Sequence, residues 1–266
     1  MIFGQRDLLR LSMLTKTEIR LSFPAGACFH QAPSLYLYRR ILQTIHHISC
    51  MQPDIKCCDC SLRSQCRYYW ITGNNFEGYP GILCPADLFE KRKYEPGQEL
   101  KVEFFWIGNC ENFKLVAEIA LNEMNQTFLG NFFYLKKIKH SQIEENIEQA
   151  QRLYLKTPLS KVDLELSILD LTALMNHWYR KWYQTDFCFQ ISNTNSDNEQ
   201  FCQEWETSPF IKMASLGMPT KNLIVQGHTG TITFGIPVYF SSVWKVIGLG
   251  KRNCIGGGKI ATGHSI

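Results

Sequence analysis

No run of 18 or more apolar residues occurs in the 266-residue sequence, which excludes an α-helix of the length a bilayer requires. The N terminus does not join a basic start to a long apolar stretch and a small-residue cleavage site, so no secretory signal is expected and the chain reads as cytoplasmic. No Gly-Lys-Ser/Thr follows a four-residue spacer and no dinucleotide fingerprint is present, which removes the two commonest phosphate-cradling loops. Net charge is small, +4 on an ordinary 20% of Asp, Glu, Lys and Arg, so the total by itself announces no nucleic-acid partner. The most telling scarcity is local: residues 207–266 hold no Asp or Glu. Those residues carry Lys212, Lys221, Lys245, Lys251, Arg252 and Lys259, a charge of +6 against −2 for the 206 residues before them. Such asymmetry is the electrostatic footprint of a surface that holds phosphates.

What is present belongs to an ordinary folded protein. Hydrophobic residues make up 45% of the chain and aromatics 13%, enough for one large domain or two modest ones. Lys16 to Phe23 alternates as a strand; Leu35 to Ile48 has helical apolar spacing with Ser34 as its expected N-cap; Glu99 to Trp106 is a second strand. An amphipathic helix is expected over Phe113 to Met124 and a strand over Phe132 to Ile138. The order then repeats. A strand over Arg152 to Lys156, ended by Pro158, precedes a long helix over Leu164 to Tyr183 and a polar loop over Asn193 to Glu199. Strands over Asn222 to Gln226 and Thr229 to Gly235, a helix over Val238 to Val246 and a closing strand over Lys259 to Thr262 complete it. The fold class is therefore α+β, as two similar sandwiches in tandem. Residues 1–145 form the first, with a cysteine loop at 50–66, and residues 146–266 the second.

Three constellations could carry chemistry. Eleven cysteines include Cys50, Cys57, Cys58, Cys60 and Cys66 within 17 residues. Without a secretory signal such a cluster points to metal rather than disulfides. Cys50, Cys57, Cys60 and Cys66 would close a tetrahedral structural zinc site with no position for water. The plain alternative is a set of reduced surface thiols. The second constellation is the tail, where Gly256, Gly257 and Gly258 could bring backbone N–H groups to phosphate while Lys251, Arg252 and Lys259 neutralise it. The third is histidine. His46 and His47 close the first helix, His30 precedes it, and Tyr36, Tyr38, Arg39 and Arg40 share it. An imidazole suits proton transfer near neutral pH, and a helix C-terminus favours its charged form.

These segments, in this order, resemble a family. The pattern Gly250-Lys251-x3-Ile255-Gly256-x-Gly258-Lys259-Ile260 resembles the C-terminal glycine-rich signature of the repeat-associated RAMP proteins. Within them it is most similar to the CRISPR-associated endoribonucleases that process precursor CRISPR RNA. Cys57-x2-Cys60-x5-Cys66 resembles the cysteine loop of one subgroup, and Trp106-Ile107-Gly108, Thr157-Pro158-Leu159 and Gly227-x2-Gly230 match further landmarks. The resemblance implies two ferredoxin-like, RRM-related domains with a basic cleft and a glycine-rich loop. It implies metal-independent cleavage of CRISPR repeat RNA, in which the 2′-hydroxyl attacks the adjacent phosphate and leaves a 2′,3′-cyclic phosphate. Histidine would serve as acid and base: His46 or His47 first, then His30, with Tyr36 or Tyr38 assisting. RNA would be held by Arg39, Arg40, Arg180, Lys181, Lys245, Lys251, Arg252 and Lys259 together with Gly256, Gly257 and Gly258. Zinc would be structural only. The partners would be repeat RNA and other subunits of a CRISPR effector complex, with no membrane and no small-molecule substrate. A non-catalytic RAMP subunit that binds guide RNA, or a zinc-stabilised protein adaptor, are the alternatives.

Overall fold

The computed structural model describes residues 14–30, 32–72, 80–87, 90–164, 166, 168–180, 191–192, 204–205, 211–212, 216–217, 222–223 and 226–263. Its first half is built from β1 (Leu14–Ser22), α1 (Pro33–Ser49), β2 (Ile82–Leu83), β3 (Glu99–Ile107), α2 (Val116–Glu123) and β4 (Tyr134–Gln142). These strands form one antiparallel sheet in the order β2-β3-β1-β4. The second half supplies β5 (Ile147–Leu159), α3 (Ile168–Tyr179), β6 (Ile191–Ser192), β7 (Gln226–Ser241), α4 (Trp244–Ile247) and β8 (Ile260–Gly263). Its sheet runs β6-β7-β5-β8, again antiparallel. Both halves are thus βαββαβ units with the split arrangement of a ferredoxin-like fold, and the chain changes sheet between Gln142 and Ile147.

The period-2 pattern of β1 sets the faces of the first sheet. Thr15, Thr17, Ile19 and Leu21 are buried, whereas Lys16, Glu18 and Arg20 lie on the opposite face. Glu18 pairs there with Arg20, with Lys101 of β3 and with Lys137 of β4. The Arg20 hydrogen bond and these cations hold its carboxyl below the usual range. α1 covers the buried face through Leu35, Leu37, Tyr38, Ile41, Leu42 and Ile45. Each such burial contributes roughly 1.5–3 kcal/mol relative to exposure. Pro33 opens the helix at a position that needs no N–H. Ser34 lies inside the first turn rather than capping it: Ala32 is the N-cap, and the Ser34 N–H and hydroxyl both donate to the carboxylate of Glu90.

Two expectations for the second half are corrected. β5 does not stop before Pro158 but continues to Leu159. The pairing with β7 slips between Gly230↔Leu155 and His228↔Leu159, and that irregularity accommodates a residue with no N–H to give. Val238 to Ser241 is not helical either. It extends β7, where Val238 and Phe240 pair with Ala150 and Glu148 and are fully buried. Pro237 falls in a second register slip, and only Trp244–Ile247 is helix. The Asn193–Glu199 loop and the end of the long helix lie outside the described residues. Buried apolar side chains from both halves form one continuous core. No helix among the described residues is long and apolar enough to cross a membrane.

Candidate nucleic-acid interface

The glycine-rich segment after α4 joins the two halves. The Cys254 carbonyl accepts the N–H of Cys84 at 2.7 Å, the Gly256 carbonyl accepts the Thr157 hydroxyl at 2.5 Å, and Asn253 Nδ2 donates to the Tyr179 hydroxyl at 2.7 Å. Glycine is required at two points for close approach. A Cβ on Gly256 (φ +93°) would stand 2.3 Å from the Ala86 carbonyl oxygen, and one on Gly258 (φ +61°) would stand 1.9 Å from that of Leu249. The expectation that Gly256, Gly257 and Gly258 offer N–H groups to phosphate is corrected here. All three are buried, and their N–H groups donate to Asn253, Arg252 and Pro158. The glycines dock the tail against the rest of the molecule.

Exposed charge on this segment is confined to Lys251 and Arg252. Arg252 sits at φ +66°, a left-handed conformation that a non-glycine residue adopts at a cost. The neighbouring backbone is fixed by the Lys251 N–H donating to the buried carboxylate of Asp163 at 3.0 Å. The other tail lysines have acidic partners: Lys245 pairs with Glu148, and Lys259 with Asp87 at 2.5 Å. Lys245 and Lys259 also line a cleft of about 560 Å³ against β3, residues 84–87, Glu90 and Lys91. That cleft holds four acids (Asp87, Glu90, Glu99, Glu103) and four lysines (Lys91, Lys101, Lys245, Lys259). Among the described residues it is therefore balanced in charge, not basic. Arg180 follows α3 and is exposed; Lys181 lies outside the described residues.

The three candidate histidines separate along α1. The first turn faces the tail: the Ser34 carbonyl accepts the Cys84 thiol at 3.6 Å, and the Cys84 backbone N–H donates to the Cys254 carbonyl. His30 is exposed at this end, with its carbonyl held by Arg92 Nη1 at 3.2 Å. His47 lies 13 residues beyond Ser34, roughly 20 Å along the helix axis, and is exposed. His46 turns toward the cysteine loop. Its Nε2 is 3.9 Å from Cys57 Sγ, its ring meets Tyr68 edge-on at 4.7 Å, and burial followed by the neighbouring His47 charge lowers its pKa. Tyr38 cannot assist at a surface. It is fully buried, its hydroxyl donates to the Ile82 carbonyl at 2.8 Å, and burial keeps it protonated. Tyr36, Arg39 and Arg40 lie together on the outward side of α1.

In the cysteine loop, Cys57 is surrounded by Cys50, Cys58, Cys60 and Cys66, and burial together with these thiols raises its pKa. Cys60 points instead to Gln52 Oε1 at 3.2 Å. No group of three or more His, Cys, Asp or Glu side chains among the described residues is gathered as a metal site. The thiols are neighbours rather than a formed ligand set.

His140, expected from the sequence to be structural, is so placed, and the basic character of one strand was not expected. His140 bonds Thr17 Oγ1 at 2.7 Å and Glu118 at 3.4 Å, which ties β4 to β1 and α2. β4 also exposes Lys136, Lys137 and Lys139 next to the aromatic pair Phe132 and Tyr134. The run Tyr134-Leu135-Lys136-Lys137-Ile138-Lys139 is basic and could have been noticed from the sequence alone.

No family model matches the chain, and no curated protein matches it either. Among solved structures it is similar to a Cas6-related protein from Pyrococcus furiosus, at 13% identity and a TM-score of 0.49, covering 94% of this chain and 98% of that one. A Cas6 product complex is similar at 10% identity and a TM-score of 0.48, covering 93% and 99%. A structure titled as a RAMP protein binding different RNA substrates is similar at 12% identity and a TM-score of 0.47, covering 94% and 100%.

Proposed function

We propose that this chain binds CRISPR repeat RNA and cleaves it without a metal ion at the catalytic step. The observation that carries the reading is the tip of the glycine-rich segment. Lys251 and Arg252 are its exposed cations, and they are presented on a loop whose following glycines are all buried. Placing two cations at a fixed point beside two RRM-related sheets suits a phosphodiester backbone better than a neutral ligand. The general acid–base group in this reading is His30, which shares the tail end of α1. Removal of the 2′-hydroxyl proton would let that oxygen attack the adjacent phosphorus in line. The P–O5′ bond breaks, the leaving 5′-oxygen takes a proton, and a 2′,3′-cyclic phosphate remains. Lys251 and Arg252 would stabilise charge developing on the phosphate.

The test is incubation of a repeat hairpin RNA with the protein in EDTA. Products ending in a 2′,3′-cyclic phosphate are expected. Tight, salt-sensitive binding with no product would favour the non-catalytic guide-RNA subunit instead. Absence of any RNA binding would leave the protein adaptor.

Zinc belongs to the proposal as a structural ion held by Cys50, Cys57, Cys60 and Cys66 once their side chains turn inward. The donor chemistry and the shared neighbourhood of the thiols support it. One zinc per chain is expected by elemental analysis of protein purified without chelator. Cys60→Ser should lower that content and the melting temperature while the single-turnover cleavage rate stays within about threefold. A zinc-free wild type would remove the ion from the proposal.

A further inference from the structure

The outward face of the helical layer in the first half carries a groove that the tail does not share. Tyr36, Arg39, Arg40 and Gln43 recur at the spacing of one helix face and, with Glu123 and Leu129, enclose a cleft of about 380 Å³. Among the described residues Glu123 is the one acid lining it, and that carboxylate is already engaged by the Thr44 hydroxyl at 2.7 Å and by Arg40 at 3.8 Å. The Nε atoms of Arg39 and Arg40 are buried without a hydrogen-bond partner.

One wall of the cleft is an unusual turn. Asn125, Gln126 and Leu129 have φ of +48°, +58° and +49°. Three non-glycine residues in this region within five positions cost energy that packing elsewhere must offset, and such strain collects at binding sites. The turn carries a short hairpin, Thr127–Phe128 against Asn131–Phe132. Phe132 and Tyr134, 42% and 49% exposed, meet edge-on at 5.0 Å. Beyond them Tyr134 lines a second cleft of about 550 Å³ with Asn122, Asn125 and Gln126, whose amides can both donate and accept. Lys136 follows, exposed.

We propose that single-stranded RNA runs from the first cleft across the hairpin to the second, with phosphates lying against Arg39 and Arg40 and bases stacking on Phe132, which pairs with the cleft residue Thr127, and on Tyr134. The inference rests on the RNA-binding reading and names the part of the RNA bound here. Exposed aromatic faces beside cations are the means by which proteins hold unpaired strands. Bases inside a duplex are already stacked and cannot use them. The excess of cations over acids around the clefts selects a polyanion over an apolar partner.

The experiment compares three probes on the full chain by fluorescence anisotropy: an oligouridylate of about ten nucleotides, a repeat hairpin, and that hairpin with an unpaired flank. Phe132→Ala with Tyr134→Ala is expected to weaken oligouridylate binding at least ~10-fold, since one stacked base is worth ~1–3 kcal/mol. The preference for the flanked over the unflanked hairpin should fall toward one. Phe132→Tyr with Tyr134→Phe keeps both rings and should restore binding, which separates stacking from misfolding. Wild-type oligouridylate affinity in the alanine variant would overturn this inference while leaving the RNA reading standing. Failure of the wild type to bind any of the three RNAs would overturn that reading itself. A wild-type dimer that the alanine pair abolishes, with RNA affinity unchanged, would assign the surface to a second copy of the chain and overturn the inference.

Discussion

Replacing Lys251 and Arg252 together by alanine is expected to weaken hairpin RNA binding by ~30–150-fold near 0.1 M salt, equivalent to about 2–3 kcal/mol. The effect is large because Lys245 and Lys259 cannot substitute. Lys245 and Lys259 already face Glu148 and Asp87, and freeing either would strand an acid. Both replaced side chains are exposed, so their loss should not disturb the buried docking of Gly256 and Gly258. Each cation removed should also flatten the slope of log affinity against log salt by ~0.7–0.9. Titration of hairpin RNA at several salt concentrations measures both quantities. A loss of affinity with an unchanged slope would mean that the two residues act through structure rather than through phosphate contacts. Unchanged affinity and slope would remove the tail from the interface.

The course of the fold was legible because its signals are local. The alternation of β1, the helical spacing of α1 and the repetition of strand, helix and strands in both halves are short-range patterns that burial enforces. The misread places are those where a local signal meets a distant partner. Pro158 reads as a stop, yet β5 continues because a register slip against β7, about 70 residues away, excuses the missing N–H. Val238 to Ser241 looked helical by its neighbours, but pairing with Ala150 and Glu148 decided for strand.

The site followed the same rule. Net charge over 207–266 counted the cations correctly and missed that Asp87 and Glu148, far away in sequence, neutralise two of them. The glycines looked like a cradle for an outside anion. They face Ala86 and Leu249 instead, contacts that no spacing rule contains. Tyr38 and Tyr36 differ by two positions on α1, which is enough to bury one and leave the other on the outward face.

The order of the histidines is the sharpest consequence of the geometry. Sequence placed His46 and His47 ahead of His30, because both close a helix that also carries Arg39 and Arg40. The structure sends His46 toward Cys57 and Tyr68, and leaves His47 roughly 20 Å along the axis from the first turn that meets the tail. In the proposed reaction a proton-transfer group lies within hydrogen-bond reach of the reacting oxygen, and the same phosphate reaches Lys251 or Arg252. His30 lies four residues before Ser34, at the end of α1 whose first turn meets the tail. His30→Ala is therefore expected to lower the single-turnover cleavage rate by ~10²–10⁴-fold while hairpin affinity changes by less than about threefold, because acid–base catalysis acts in the transition state. His30→Ala should also retain its melting temperature, since the side chain is exposed and the Arg92 hydrogen bond is to the backbone. The decisive comparison is with His46→Ala and His47→Ala under identical conditions. A greater rate loss in His47→Ala than in His30→Ala would move the scissile phosphate to the outward groove beside Tyr36 and Arg40. A full rate in all three variants would leave cleavage to a group other than these histidines.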